Sequence, residues 1–496
     1  MASALSALTA TVVGIGAWGL ATQSENGVKS QYASRTEMEK AVEEIRRALG
    51  EDAVSIEDEI LRSHGYSEWS TINIERLPVA VAFPTSTEEV SIIAKICHRR
   101  RVPMIPYSGG SSVEGHFSAP FGGVSVDFCN MNRILEMHGD DMNITVQPSV
   151  SWMEMNESIK DTGLFFPIDP GPSAQIGGMI GTNCSGTNAV RYGTMRDWVV
   201  NLTVVLSDGT VLKTRKRPRK SSAGYSLNSL FVGSEGTLGF VTEATLKLAP
   251  IPEQTGVAVV TFPTVKAAAT MAIEVIRRGV PVGAVEILDE VLMNVINRMG
   301  GTAREWDETP TLFFKFSGSD VLVKDSIAQV QQLATKHQAH NFLYESDPHK
   351  QKALWSARKE ALWSMMALRQ SEGHVWSTDV AVPLSRVAEL IDISKHDLVE
   401  LGLFGSILGH IGDGNFHETI LFEDGQRKAV EASVDRMVAR ALEMEGTCTG
   451  EHGVGLGKKD FLREEVGDVT IEVMRAIKNS LDPLWLMNPG KIFDRK

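Results

Sequence analysis

Apolar residues in this chain recur with two periods, and the mixture of the two changes along its length. Over Thr36–Leu49 the positions Met38, Ala41, Val42, Ile45 and Leu49 fall on one stripe, which predicts an amphipathic helix. Pro78–Phe83 is a short apolar run, long enough only for a strand. The segment Pro84 to Val90 supplies Ser/Thr caps and two acids, and it announces a helix over Val90–Arg100. Val102–Pro106 follows as a second buried strand, so residues 78–106 read as strand, helix, strand. Further strands are predicted at Gly123–Phe128, Asn143–Gln147, Val199–Leu206 and Gly239–Leu248. Past Pro250-Ile251-Pro252, strands (Gly256–Phe262, Thr311–Phe316, Phe342–Tyr344, Phe404–His410) alternate with longer helices (Val265–Arg278, Val321–Lys336, Lys350–Arg369, Gln426–Glu443). A domain boundary is expected near residue 250, and no internal repeat is evident.

Composition narrows the picture. A chain of 496 residues is too long for one ordinary core. Its 43% hydrophobic and 22% charged residues describe a globular chain, not a disordered one. The formal charge, 49 − 62 = −13, argues against a nucleic-acid binder. Cys97, Cys129, Cys184 and Cys448 are scattered without a C-x-x-C pair, which excludes a disulfide scaffold, a zinc ribbon and a ferredoxin-type cluster. Ala2 to Ser24 carries no charged side chain and is weakly apolar. It reads either as a membrane-contacting segment or as a poorly ordered terminus. The literal G-x-G-x-x-G at 14–19 is a decoy, because the polar stretch Gln23 to Arg35 holds no second strand ending in an acid. Lys213 to Lys220 holds six basic residues in eight. It reads foremost as a solvated loop, with steering of an anionic substrate or contact with acidic lipid as alternatives.

The 44 Gly are clustered, and three clusters sit against strands. Pro106 to Gly115 follows a buried strand, and its small residues let backbone N–H groups converge on an anion. It is not a P-loop, because no G-K-[ST] follows. Gly171 to Gly186 and Ser234 to Gly239 are the second and third loops. Three such loops favour a large flat ligand that carries phosphates. A fourth cluster brings different chemistry. Gly409-His410-Ile411-Gly412-Asp413-Gly414-Asn415-Phe416-His417 places two His seven apart, on opposite faces if the strand were regular. Gly412 and Gly414 allow a bend that brings both imidazoles to one point. Gly450-Glu451-His452-Gly453 adds an acid and a third His in another Gly-rich turn. Two imidazoles and a carboxylate make a plausible divalent-metal site with open positions.

These segments resemble the vanillyl-alcohol-oxidase type of FAD-linked oxidases over about 75–250. Ser185 to Met195 and Arg217 to Tyr225 resemble the cytochrome-linked D-lactate dehydrogenases in particular. The resemblance implies an α+β, two-domain FAD-linked oxidase. A PCMH-type FAD-binding domain would span 36–250, and an antiparallel-sheet α+β domain for substrate and metal would span 251–480. Residues 481–496 would return to the first domain, and 1–35 would be the N-terminal apolar segment. FAD contacts would fall on Tyr107, Ser108, Gly109, Gly110, Ser111, Ser112, Glu114 and Pro148. They would continue on Asp169, Pro170, Ser173, Gly177, Gly178, Thr182, Asn183, Ser185, Gly186, Tyr192 and Gly193, and end on Glu235, Gly236, Gly239, Val241 and Asn488. His116 lies near the first loop, with no motif for covalent flavin attachment.

By the same resemblance His410, His417 and Glu451 would hold a divalent metal (zinc, manganese or iron), and His452 would be the general base. Arg358, in Trp355-Ser356-Ala357-Arg358, would clamp the substrate carboxylate. The implied reaction is oxidation of a D-2-hydroxy acid, D-lactate first and D-2-hydroxyglutarate or glycolate as alternatives. Electrons would pass to cytochrome c or a quinone, in a mitochondrial protein with inner-membrane contact as an open expectation. A flavin- or metal-binding scaffold without turnover is the reading from another class.

Overall fold

The computed structural model describes residues 31–302, 304–370 and 373–495; the N-terminal apolar segment and its glycine motif lie outside them. The first layer begins with helix Arg35–Leu49, capped by the Ser34 hydroxyl, which accepts from the Glu37 N–H. Its buried stripe, Met38, Ala41, Val42 and Ile45, packs on helix Thr87–Arg100. That second helix is capped by Ser86 and ends on Arg101 in the left-handed region, at φ +55°. Both helices cover a four-stranded sheet. The anticipated strands Ala80–Ala82 and Met104–Tyr107 do form, but they do not touch each other. Val124–Asp127 lies between them, parallel to both, and Val54–Ser55 closes the far edge.

The open edge of Met104–Tyr107 is taken by the end of the chain. Met104 N–H donates to Leu486 O at 2.7 Å, and Asn488 N–H donates to Met104 O at 2.7 Å. Lys491 in this return segment and Lys478 on the helix before it, Lys459–Leu481, are buried. Lys478 Nζ donates to Thr237 O, Asp482 and Met487 O, while Lys491 Nζ donates to Ser118 O and Asn488 Oδ1.

Burial pushes the Lys491 ammonium down to about 7, with Glu235 opposing. The unfolded chain binds this proton below about pH 10.4, the native protein only below about 7. Stability from this group therefore rises with pH across that window and is lost as pH falls through it. The wild type is expected to gain on Lys491→Met by up to about 4 kcal/mol between pH 7 and 10 in denaturant unfolding. A gap that stays constant with pH would contradict the burial argument.

The second sheet is antiparallel, in the order Ile134–His138, Asn143–Val146, Phe240–Lys247, Val199–Val205, Val211–Lys213. The basic run leaves its last strand. Arg215 donates to Val200 O and Arg217 pairs with Asp141, while Lys213, Lys216, Arg219 and Lys220 are exposed.

The third sheet has eight strands. Its main order is Asn341–Glu345, Gln254–Thr261, Thr311–Gly318, Val282–Leu288, Phe404–Gly409, Asn415–Phe422, His374–Ser377, and Val380–Ala381 also pairs with Asn415–Phe422. Successive side chains on a strand point to opposite faces. Thus Val285, Ile287, Phe314 and Phe316 meet helices Val265–Arg277, Asp320–Lys336 and Val387–Glu400 on one face. Phe313 meets helices Glu290–Met299 and Pro348–Ala367 on the other. Glu286 and Lys315 share that second face with Phe313. Strands Val282–Leu288 and Asn415–Phe422 were not anticipated from the pattern, nor was helix Lys459–Leu481.

Candidate active site

The two spaced histidines come together on a hairpin. Strand Phe404–Gly409 ends just before His410, a single tight turn covers Ile411–Asp413, and Asn415–Phe422 returns with His417 opposite Leu408. Gly414 makes the reversal at φ +75°, where a Cβ would meet Val382 O at 2.3 Å. The turn thereby absorbs the odd spacing and sets both rings on one side. Glu451 Oε1 lies 3.2 Å from His410 Nε2 and 3.3 Å from His417 Nε2. The three ligand atoms fall within 4.8 Å of one another, the one such cluster among the described residues. Asp413 sits exposed on the connecting turn and does not join it.

Each member is also held from behind. His410 Nδ1 is 2.8 Å from Glu286 Oε1, His417 Nδ1 is 2.9 Å from Thr378 O, and Ser185 Oγ donates to Glu451 Oε2 at 2.6 Å. Rings pinned at one nitrogen, with the other turned toward a shared carboxylate oxygen, make a donor set that would suit a divalent metal. Burial acts to lower the His410 pKa, but Glu286 and Glu451 prevail and hold it well above the ordinary range. Burial likewise opposes the Glu451 charge, yet His410 and His417 hold that carboxyl well below its ordinary range.

A buried carboxylate fixes the second turn. Asp379 Oδ2 accepts from the N–H groups of Glu451 and His452, both at 2.9 Å, and from Thr449 Oγ1 at 2.7 Å. Its Oδ1 accepts from Asn415 Nδ2 at 2.8 Å, which ties the turn to the hairpin. Although burial disfavours its charge, His452, Lys458 and His417 keep Asp379 strongly acidic. The His452 ring stacks on His417 at 5.0 Å between centroids and 15° between planes. Neither of its ring nitrogens has a hydrogen-bond partner among the described residues, and Nδ1 is fully buried. Burial pushes this imidazole down to about 4, so it is neutral at pH 7.

The second and third glycine loops reach this cluster and its turn, through Ser185 on Glu451 and Glu235 on the Val454 and Gly455 N–H groups. None of the backbone N–H groups of Ser108 to Ser112 has a partner among the described residues. Such a run of free donors at the end of a parallel strand suits a phosphate-bearing ligand. Gly109 approaches the second loop so closely that a Cβ would meet Ser173 O at 2.7 Å. Ser108 Oγ donates to Gln175 Oε1, Gly177 N–H donates to Pro148 O, and Glu235 N–H donates to Gly181 O. The three loops are thus one assembly, with Ser111, Ser173 and Gly178 on its exposed rim.

Residues 78–215 match the FAD binding domain family, and residues 251–492 match the C-terminal domain of FAD linked oxidases. The chain belongs to the FAD-linked oxidases. Among curated members, it is 45% identical over 475 residues to the mitochondrial D-lactate dehydrogenase [cytochrome] of Kluyveromyces lactis, covering 93% of this chain and 82% of that one. The Arabidopsis thaliana protein of the same name is 46% identical, with 95% and 82% covered. Among solved structures, 4-ethylphenol oxidase from Gulosibacter chungangensis superposes with a TM-score of 0.77 at 17% identity, covering 93% of this chain and 98% of that one. The fold is therefore the two-domain FAD-linked oxidase fold that the family resemblance implies.

Within that fold several anticipated residues face in unanticipated directions. Glu235 turns its carboxylate to the second turn, accepting from Val454 N–H at 2.7 Å and Gly455 N–H at 2.8 Å, beside His116. Glu114 accepts from Thr71 Oγ1 and lies 3.5 Å from Lys458. Both acids join the FAD-binding half to the His452 turn. Asn488 supports them by donating to His116 O and Glu235 O. Asp169 takes Thr187 Oγ1 at 2.6 Å and Asn188 N–H at 2.9 Å, against Gly186. Asn183 caps helix Ile176–Thr182 and accepts from Thr194 Oγ1 and Arg196 N–H. Tyr192, next to Gly193, packs its ring on Phe165 and Trp198. Gly236 packs on Pro106, while Gly239 and the adjoining Val241 lie along strand Val199–Val205.

Arg358 Nε donates to Glu286 Oε2 at 2.8 Å, so its charge is matched within the protein. Glu286, Asp379, Lys458 and Lys315 were not anticipated. The first carried a signal, as the lone acid in the otherwise apolar run Val282–Leu288, whereas Asp379 follows Ser377 and Thr378 in a mixed segment. No helix among the described residues is long and apolar enough to cross a membrane.

Proposed function

We propose that this protein oxidises D-lactate to pyruvate and passes the electrons outward to a cytochrome-type acceptor. The observation that carries the reading is the convergence of His410, His417 and Glu451 beside the unpartnered, neutral His452. The names of the relatives at about 45% identity support D-lactate as the substrate and a cytochrome as the acceptor, and they support a mitochondrial location. When bound, FAD along the three loops would take the hydride from C2 of the hydroxy acid, and a divalent ion on His410, His417 and Glu451 would polarise the hydroxyl oxygen.

The chain's own residues do the rest. His452 takes the hydroxyl proton at Nε2, since Nδ1 is sealed in the protein. Its low proton affinity keeps it unprotonated at pH 7. Asp379 holds the backbone of Glu451 and His452 in register, so ligand and base keep a fixed separation. Glu286 orients His410 and satisfies Arg358 together, fixing the cationic side of the site. The four cysteines are free, three of them buried and apart, and they offer no internal relay. With cytochrome c as acceptor, kcat/KM for D-lactate is expected to exceed that for L-lactate, glycolate and D-2-hydroxyglutarate by at least about tenfold. A preference for D-2-hydroxyglutarate or glycolate would overturn the substrate assignment.

A further inference from the structure

Arg358, the anticipated clamp for the substrate carboxylate, is already paired with Glu286. That contact uses only the guanidinium Nε, Glu286 is shared with His410, and a further cation lies on the same sheet face. Lys315 sits on strand Thr311–Gly318 opposite Ala284, while its neighbour Phe313 sits opposite Glu286. Lys315 and Glu286 are thus diagonal neighbours on one face of the sheet, beneath helix Pro348–Ala367. That helix contributes both Arg358 and Trp355, and Lys315 Nζ lies 4.3 Å from the Trp355 ring centroid. A second connection runs through the loop on the other side. Ser185 donates to Glu451 in the metal cluster, and two residues on, Thr187 Oγ1 receives Lys315 Nζ at 3.1 Å. The ammonium thus lies on the same sheet face as Glu286, which holds His410, and rests on Thr187, two residues after the Ser185 that holds Glu451.

Lys315 also has charge to spare. Its nearest carboxylate oxygen, Asp169 Oδ2, is 3.9 Å away and already takes the Thr187 hydroxyl. Its side chain is 31% exposed, against 15% for Arg358 and 1% for Glu286, so it is the cation of this row most open to a ligand. Burial lowers its pKa, and Asp169 and Glu286 act to keep it charged.

We infer that Lys315 binds the carboxylate of the 2-hydroxy acid and determines specificity for an anionic substrate, with the Arg358–Glu286 pair as its backing. This rests on the hydroxy-acid reading above. The test uses FAD-loaded enzyme and compares wild type, Lys315→Met, Lys315→Gln and Lys315→Arg. Oxalate, an unreactive dianion, reports binding through the flavin absorbance, and D-lactate reports kcat and KM. In either neutral variant the Kd for oxalate and the KM for D-lactate are expected to rise about 10- to 100-fold, with kcat within a few-fold. The Arg variant is expected to restore most of the binding. Rates with neutral D-lactamide are expected to be unchanged. Oxalate binding as tight as wild type in either neutral variant would overturn the assignment, and so would an equal loss with lactamide. Failure of wild type to reduce its flavin with any 2-hydroxy acid would instead overturn the functional reading.

Discussion

Replacing His410 with Ala is expected to remove bound metal from the purified enzyme while leaving its FAD content unchanged. The imidazole is one of three ligand atoms within 4.8 Å, and two ligands do not hold a divalent ion against solvent at ordinary concentrations. The free N–H groups of Ser108 to Ser112 belong to other segments, so the flavin has no reason to leave. Loss of a Lewis acid worth several kcal/mol should slow flavin reduction by on the order of 10³-fold. Glu286→Gln is a milder version, because it removes the carboxylate behind His410 Nδ1 but no ligand. It is expected to weaken metal binding by roughly 10- to 100-fold. Metal analysis beside the flavin spectrum separates the two effects. Full metal occupancy in His410→Ala would show that the cluster is not the site.

His452→Ala is expected to keep both FAD and metal yet lose flavin reduction by roughly 10² to 10⁴-fold, the usual worth of a general base. The separation is physical. His452 contributes no atom to the three-ligand cluster, and its backbone is anchored by Asp379 whatever its side chain. Removing the ring exposes one face of His417, but that ring stays fixed through Nδ1 on Thr378 O. Stopped-flow reduction at saturating D-lactate reads the effect directly. A variant that reduced its flavin at the wild-type rate would remove His452 from the mechanism.

Parts of this arrangement were legible in the chain and parts were not, for reasons that are physical. Gly412 and Gly414 between two histidines announce a turn, and a turn is local. The hairpin that unites His410 and His417 is therefore visible in nine consecutive residues. The first and third glycine loops are legible for the same reason, since one directly follows its strand and the other precedes one, whereas the second folds in part into helix Ile176–Thr182. Glu286 is not, because its partner His410 is 124 residues away and an acid within an apolar strand names no partner. Lys315 is hidden likewise, because its meaning depends on a sheet register with Val282–Leu288 that the pattern does not encode. The order of the first sheet is also non-local, as Val124–Asp127 inserts between two strands that chain order suggests are neighbours. Glu114 and Glu235 illustrate the reverse case. They are prominent in the glycine loops, yet their carboxylates serve the joint between the two halves of the fold.

The most direct measurement is anaerobic mixing of the FAD-loaded protein with D-lactate, followed by flavin absorbance and assay of pyruvate. The account predicts bleaching of the flavin, one pyruvate formed per flavin reduced, and no bleaching with L-lactate. A flavin that stays oxidised with D-lactate, with metal bound, would contradict it.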